Sequence, residues 1–144
     1  IEYLHVTTEG SSLLPADALG QYQVRQISHS IAMDIHPVCN LSVAAHAVTL
    51  AKGTDKEKKD WMQHFIGAGL AKVELLLAKG QAGPFCHGDT PTMADCCLVP
   101  QLYNADRWGV AYDHHAHIAK IAACARGHPA FITARSEANP PIAR

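Results

Sequence analysis

The sequence predicts an all-α fold, a bundle of about five helices. Apolar residues recur at spacings of three and four over long stretches, which is typical of one-sided helices. Two threonine-initiated capping boxes mark helix starts, and neither an alternating apolar–polar run nor a hairpin turn signal is found. The chain has 144 residues, of which 48% are hydrophobic and 17% charged. That is enough apolar material for one domain with a core, and it excludes a disordered chain.

The first helix is predicted to begin at Asp17. Its apolar stripe consists of Val24, Ile27, Ile31, Ile35 and Val38. Pro37 interrupts this stripe, and because proline has no N–H for the carbonyl of Met33, we expect a kink there. Helical character is expected to resume through Val48 and to end at Gly53.

The second helix is predicted to begin at Thr54, where Glu57 completes a capping box, and to end at Gly80. Its stripe consists of Met62, Ile66, Leu70, Val73 and Leu77. The remaining three helices are predicted over residues 92–107, over residues 115–126 and from Pro129 onward, where proline suits a first helical position. The run Asn139-Pro140-Pro141 predicts an irregular end.

The third helix carries the most specific segment. Thr92 is expected to cap it, with Asp95 completing the box. The following residues are apolar on every side as far as Gln101, which predicts a central, buried helix. A carboxylate at the start of such a helix needs the helical N–H groups as partners, so we interpret Asp95 as structural rather than catalytic.

Composition and charge exclude several classes of function. A net charge of −1 gives no support for a protein that neutralises nucleic-acid phosphates. The longest uncharged stretch, residues 35–51, contains Pro37 and Asn40 and is a poor membrane span. Five cysteines, an odd number at irregular spacing, favour a reduced, cytoplasmic protein over a disulfide framework. The His114-His115-x-His117 group and the cysteines lack metal-ligand spacing, so we predict no bound metal.

Three segments carry a family resemblance: LLPAD at residues 13–17, DIHPVCNL at 34–41 and GDTPTMADCCLVPQLYNA at 88–105. They resemble the C-terminal helical domain of zeta-class glutathione transferases, the maleylacetoacetate and maleylpyruvate isomerases. The resemblance covers nearly the whole chain. The Gly-Asp-x-x-Thr-x-Ala-Asp core alone indicates only a transferase-like domain, whereas the longer segments indicate the class.

The resemblance implies a two-domain, usually dimeric, glutathione-dependent enzyme. Residues 1–15 would be the tail of a missing N-terminal thioredoxin-like domain plus a linker, and residues 16–144 the helical domain. The Ser-Ser-Cys catalytic motif of the family is absent, so the chain contains no catalytic residue of its own. The implied reaction is cis–trans isomerisation of a small acidic electrophile, a maleylacetoacetate- or maleylpyruvate-like diacid. A different hypothesis is a non-catalytic interaction module, because similar helical domains assemble partners in translation complexes.

The resemblance also implies site residues. His36 matches a glutathione-contacting Gln or His, and Asn40, Leu41 and Ser42 match the contacting stretch that follows. His36 and Asn40 are four apart, which on a helix would place them on one face; a satisfied polar pair inside the bundle is the alternative. Some bacterial relatives carry Arg where this chain has Ser42, so it has one cation fewer for a diacid.

Arg107 matches a family arginine near the substrate end of the cleft. A guanidinium offers a planar, permanently charged fork that suits a carboxylate. The alternative from the residues alone is a cation that interacts with the dipole at the C-terminal end of its helix.

Overall fold

The structure is a computed structural model that describes residues 1–10 and 12–135, and within this part every regular element is helical, as predicted. The α-helices are α1 (Glu2–Thr7), α2 (Ala18–His29), α3 (Leu41–Leu50), α4 (Asp55–Lys79), α5 (Met93–Trp108), α6 (Ala116–Gly127) and α7 (Pro129–Thr133). A π-helical segment, π1 (Ser30–Ile35), follows α2 directly. The predicted irregular end at Asn139-Pro140-Pro141 lies outside the described residues.

The first predicted helix is divided into separate pieces, so a single kinked helix was the wrong description. The α-helical part ends at His29, and in π1 the N–H of His36 reaches back five residues to the carbonyl of Ile31 at 3.0 Å. Pro37 follows at once and has no N–H with which to continue the helix. The chain turns and starts α3 with a new N-cap, Asn40, which has extended backbone angles.

Helix α5 occupies the centre, packed against α2, π1, α4 and α6. Its buried face includes Ala94, Leu98 and Ala105, which join the core formed by the predicted stripes of α2 and α4. The prediction that α5 is covered on all sides is wrong in detail, because Cys97 and Val99 are only partly buried. Cys97 lines an open groove and Val99 lines a cleft, so two apolar flanks of α5 remain accessible.

Both predicted capping boxes are present. The box of α4 is exposed, and there Glu57 Oε2 accepts from the N–H of Thr54 at 2.6 Å. The box of α5 is buried, and there Asp95 Oδ2 accepts from the N–H and the hydroxyl of Thr92 at 2.8 and 2.9 Å. Asp95 Oδ1 also accepts from the N–H of Cys86 at 2.8 Å. Three donors on one buried carboxylate confirm that Asp95 is a structural residue.

The segment before α2 is tied to the helical bundle. Leu14 is buried in the core, and the carbonyl of Leu13 accepts from the N–H of Met93 at 2.8 Å. Helix α1 has no buried residue and is held by an ion pair, Glu2 Oε1 to Arg25 Nε at 2.6 Å. The part of the predicted linker from residue 12 onward therefore packs on the bundle, at the first turn of α5.

Candidate functional site

Helix α4 holds the backbone of the segment that contains His36. The indole Nε1 of Trp61 donates a hydrogen bond to the carbonyl of Val38 at 3.0 Å. Cys39 is buried in the core, whereas His36 and Asn40 are exposed. A long-range hydrogen bond and a buried anchor thus hold an irregular turn whose polar side chains face solvent.

A glycine in α4 lets π1 approach closely. A Cβ built on Gly69 would lie 2.5 Å from both Cγ1 and Cδ1 of Ile35, which is a steric clash. Ile35 is almost completely buried, so a side chain at position 69 would force it to shift within the core. Gly69 therefore makes room for the widened turn of π1. Turns of the π type are frequent at functional sites.

Asn40 has a structural role that the sequence analysis did not predict. Its Oδ1 accepts from the N–H of Ser42 at 2.9 Å and from the hydroxyl of Ser42 at 2.7 Å, and so caps α3. Because residues 36–39 form a turn and Asn40 has an extended backbone, the spacing argument that put His36 and Asn40 on one helical face is wrong. Neither residue is buried, so the alternative of a polar pair inside the bundle is also wrong.

The structure places the four candidate residues 36, 40, 41 and 42 on one exposed turn. Asn40 Nδ2 makes no hydrogen bond within the described part of the chain, and the hydroxyl of Ser42, already donating, can still accept one. Leu41 exposes about half of its surface beside them. The turn therefore presents an imidazole, an amide donor, a hydroxyl acceptor and a small apolar surface.

Arg107 lies in the last turn of α5 and is exposed. That end of α5 is fixed by Gln63 of α4, whose Nε2 donates to the carbonyl of Trp108 at 2.9 Å. Gly109 then ends the helix with a left-handed backbone, φ 70°. The structure leaves both interpretations of Arg107 open, because a guanidinium at this position reaches solvent and also lies at the negative end of the helix dipole.

One member of the histidine group, His117, has a structural role. Glu74 Oε1 accepts from the N–H of His117 at 3.0 Å and lies 2.8 Å from its Nδ1, and Oε2 accepts from the N–H of Ile118 at 3.0 Å. A carboxylate of α4 thus caps the N-terminus of α6. Burial acts to raise the pKa of Glu74, but these hydrogen bonds outweigh it, and the pKa lies below its ordinary value.

No group of three potential ligands is placed to hold a metal ion within residues 1–10 and 12–135, and the absence of a metal stays a prediction. The five cysteines, all of which lie in this part, are free thiols. In the same part of the chain, no helix combines the length and the apolar character needed to cross a membrane.

Comparison with known proteins decides the family. The family model described as "Glutathione S-transferase, C-terminal domain" matches residues 59–142, more than half of the chain. The chain belongs to this glutathione S-transferase family. The predicted zeta-class resemblance is confirmed by a maleylpyruvate isomerase structure described as a bacterial zeta-class enzyme, which is 34% identical with a TM-score of 0.91. In that comparison 99% of this chain and 68% of the other are covered.

Two curated relatives and a second structure agree. Maleylacetoacetate isomerase of Rhizobium meliloti is 54% identical over 76% of this chain and 52% of its own length. The enzyme of the same name from Pseudomonas aeruginosa is 42% identical over 91% of this chain and 60% of its own length. The structure of maleylacetoacetate isomerase from Anaeromyxobacter dehalogenans, solved with glutathione in its active site, is 32% identical with a TM-score of 0.89. This match covers 96% of this chain and 62% of the other. The transferase domain described here thus spans about half to two thirds of these relatives.

The exposed turn of this transferase domain fits glutathione in chemical terms. Glutathione carries two carboxylates, an ammonium group and two amides. The imidazole of His36 and Nδ2 of Asn40 supply donors for carboxylate or carbonyl oxygens, and the hydroxyl of Ser42 supplies an acceptor for an N–H. All three groups come from one turn, and its backbone is held by Trp61.

Sequence reasoning missed the two residues that position this turn. Trp61 and Gly69 lie on α4, and each contacts a residue more than twenty positions away. The signal for Gly69 was present: a glycine in the middle of a helix costs about 1 kcal/mol relative to alanine and often marks a close approach. Trp61 gave no comparable signal, because it also continues the apolar side of α4.

Proposed function

We propose that this chain is the C-terminal domain of a glutathione-dependent cis–trans isomerase that acts on a maleylacetoacetate- or maleylpyruvate-like diacid. The observation that carries the proposal is the exposed turn of residues 36–42, whose donors and acceptor suit glutathione. The overall identity to relatives named maleylacetoacetate isomerase supports it. A glutathione-bound structure of such a relative supports the choice of cofactor. In this proposal the chain supplies binding surface rather than a nucleophile.

Glutathione supplies a thiolate that adds reversibly to a cis double bond and so permits rotation about it. His36 and Asn40 hold the peptide part of glutathione, and Ser42 accepts a hydrogen bond from it. Asn40 is suited to a double role, because Oδ1 caps α3 while Nδ2 donates to the ligand. Leu41 provides apolar contact beside the polar groups.

Arg107 binds a carboxylate of the diacid in this proposal. It lies at the end of α5, while the turn of residues 36–42 follows π1, and α5 and π1 are packed against each other. A planar guanidinium binds a carboxylate through two parallel hydrogen bonds and orients it. The contribution of such a partly solvated contact is a few kcal/mol at most, on the order of 1.5–3 kcal/mol.

We also propose that a thioredoxin-like domain supplies the groups that activate the thiol. The open groove beside α5, with a volume of about 420 Å³, is lined on one side by Ala32 and Cys97 and on the other by Ile1 and Tyr3. Its apolar walls suit a covering domain. The greater length of the relatives is consistent with such an additional part.

A homodimer in the cytoplasm completes the proposal. Helix α3 carries no charged residue, and its exposed apolar side chains Val43 and Leu50 are seven residues apart and so lie on one face. An uncharged helix with exposed apolar side chains is typical of a surface that a second copy covers. Sedimentation equilibrium of the purified protein tests the dimer, and a monomer at micromolar concentration would contradict it.

The decisive experiment follows the isomerisation of maleylpyruvate by absorbance, using the complete natural protein that carries this chain. We expect turnover with glutathione and none with S-methylglutathione, which binds through the same groups but has no thiol. Equal rates with both compounds would contradict the cofactor. No turnover, together with stable capture of a protein partner, would favour the interaction module.

A further inference from the structure

A cleft of about 330 Å³ lies between the C-terminal ends of α5 and α6 and the short helix α7. This volume is within the range of about 300–1,000 Å³ that is usual for small-molecule sites. None of the five candidate site residues lines it. The cleft is thus a feature of the helical bundle that the proposed function leaves unused.

The floor and walls of the cleft are apolar. Val99 and Leu102 come from α5, Ala122 and Ala125 from α6, and Phe131 from α7. The two alanines leave space because their side chains end at Cβ, so α6 does not fill the gap beside α5. Phe131 is only partly buried, and its ring forms an accessible wall.

Polar groups line the rest of the cleft. The guanidinium Nη2 of Arg126 donates to the hydroxyl of Tyr112 at 3.4 Å, and that hydroxyl donates to Oδ2 of Asp106 at 3.2 Å. Burial raises the pKa of Tyr112, so its hydroxyl stays protonated near neutral pH. Arg135 is a second cation in the lining.

We propose that this cleft binds a small carboxylate with an apolar body, the carboxylate on Arg126 and the apolar part against Phe131 and the two alanines. A guanidinium has five N–H donors, and a single long bond to Tyr112 leaves donors for a carboxylate. Because the hydroxyl of Tyr112 stands between Arg126 and Asp106, the carboxylate of Asp106 is already satisfied in part. An arylacetate of the size of phenylacetate matches this arrangement.

The test is calorimetric titration of the full chain at low salt with phenylacetate and with phenylacetamide, its neutral analogue. We expect phenylacetate to bind about tenfold more tightly, the effect of one charge-assisted hydrogen bond. This comparison requires no substitution, so it holds even if a variant does not fold. Equal affinities, or no saturable binding of either compound, would overturn the proposal.

Two variants locate the binding. Arg126→Gln should weaken phenylacetate binding about tenfold, whereas Lys120→Gln, which removes the same charge from an exposed position of α6 outside the cleft, should leave it unchanged. In amide NMR spectra, phenylacetate should shift the signals of Ala122, Ala125 and Phe131. Shifts at residues 36–42 instead, or equal effects of both variants, would contradict this site.

Discussion

Ile35 occupies the space in which a side chain at position 69 would have to lie, so Gly69 is the residue that lets π1 pack against α4. Gly67, on the same helix, has no such neighbour: a Cβ there would lie 3.8 Å from Cγ1 of Val110, an ordinary contact. Alanine substitutions at these two glycines therefore distinguish the effect of close packing on stability from the effect of helix propensity.

Gly69→Ala is expected to destabilise the fold by about 1–3 kcal/mol, because Ile35 is buried and must shift. Gly67→Ala should instead stabilise it, by up to about 1 kcal/mol, through the better helix propensity of alanine. Urea denaturation of both variants measures this difference. In the complete enzyme, Gly69→Ala should also raise the KM for glutathione, since the turn of residues 36–42 follows π1. A stable Gly69→Ala variant with unchanged KM would contradict the positioning role.

The buried capping box of α5 predicts a large effect. Asp95→Ala leaves three donors, two on Thr92 and one on Cys86, without their acceptor, and should cost about 3 kcal/mol or more. Thr92→Ala should cost about 1–2 kcal/mol, a usual value for a lost cap. Thr54→Ala in the exposed box of α4 is the matched control and should cost less. Denaturation midpoints equal to that of the unchanged chain would contradict the structural role of Asp95.

Glu74 predicts a pH-dependent stability. Its pKa in the folded chain is lower than the ordinary value of 4.5, so the carboxylate stabilises the fold above about pH 4.5. This stabilisation is lost as the pH falls through the folded pKa. Glu74→Gln should therefore lower the urea midpoint at pH 7 and have a smaller effect at pH 3. A difference from the unchanged chain that is constant across this range would contradict the assignment.

The candidate site predicts a division of kinetic effects in the complete enzyme. His36→Ala should raise the KM for glutathione, and Arg107→Ala should lower kcat/KM for the diacid while leaving glutathione affinity almost unchanged. Asn40→Asp is more informative than Asn40→Ala, because aspartate keeps the oxygen that caps α3 while it replaces the amide donor by a negatively charged acceptor. We expect Asn40→Asp to raise the KM for glutathione at unchanged stability. If Arg107→Ala weakened glutathione binding and spared the diacid, the two roles would have to be exchanged.

The features that could be predicted from the sequence depend on neighbours in the chain. The boxes at Thr54 and Thr92 join residues three apart, and the stripes of α2 and α4 repeat within each helix, so periodicity and capping chemistry identify them. The division at π1 depends on Gly69, and the turn after it on Trp61, both distant in sequence. Local spacing extended the helix through Asn40 with only a kink at Pro37, because a proline alone does not distinguish a kinked helix from one that ends. The cap of α6 by Glu74 was missed for the same reason, since it joins residues 43 positions apart.

The hydrogen bond between Leu13 and Met93 bears on where the polypeptide can be cut. A recombinant fragment that begins at residue 16 would lack the core side chain of Leu14 and would leave the first N–H of the central helix without its acceptor. Residues 8–10 offer a better place, because all three are exposed and nothing lies within 4 Å of a Cβ built on Gly10. Protease cleavage or a fusion junction placed there would keep the bundle and its anchoring segment in one piece.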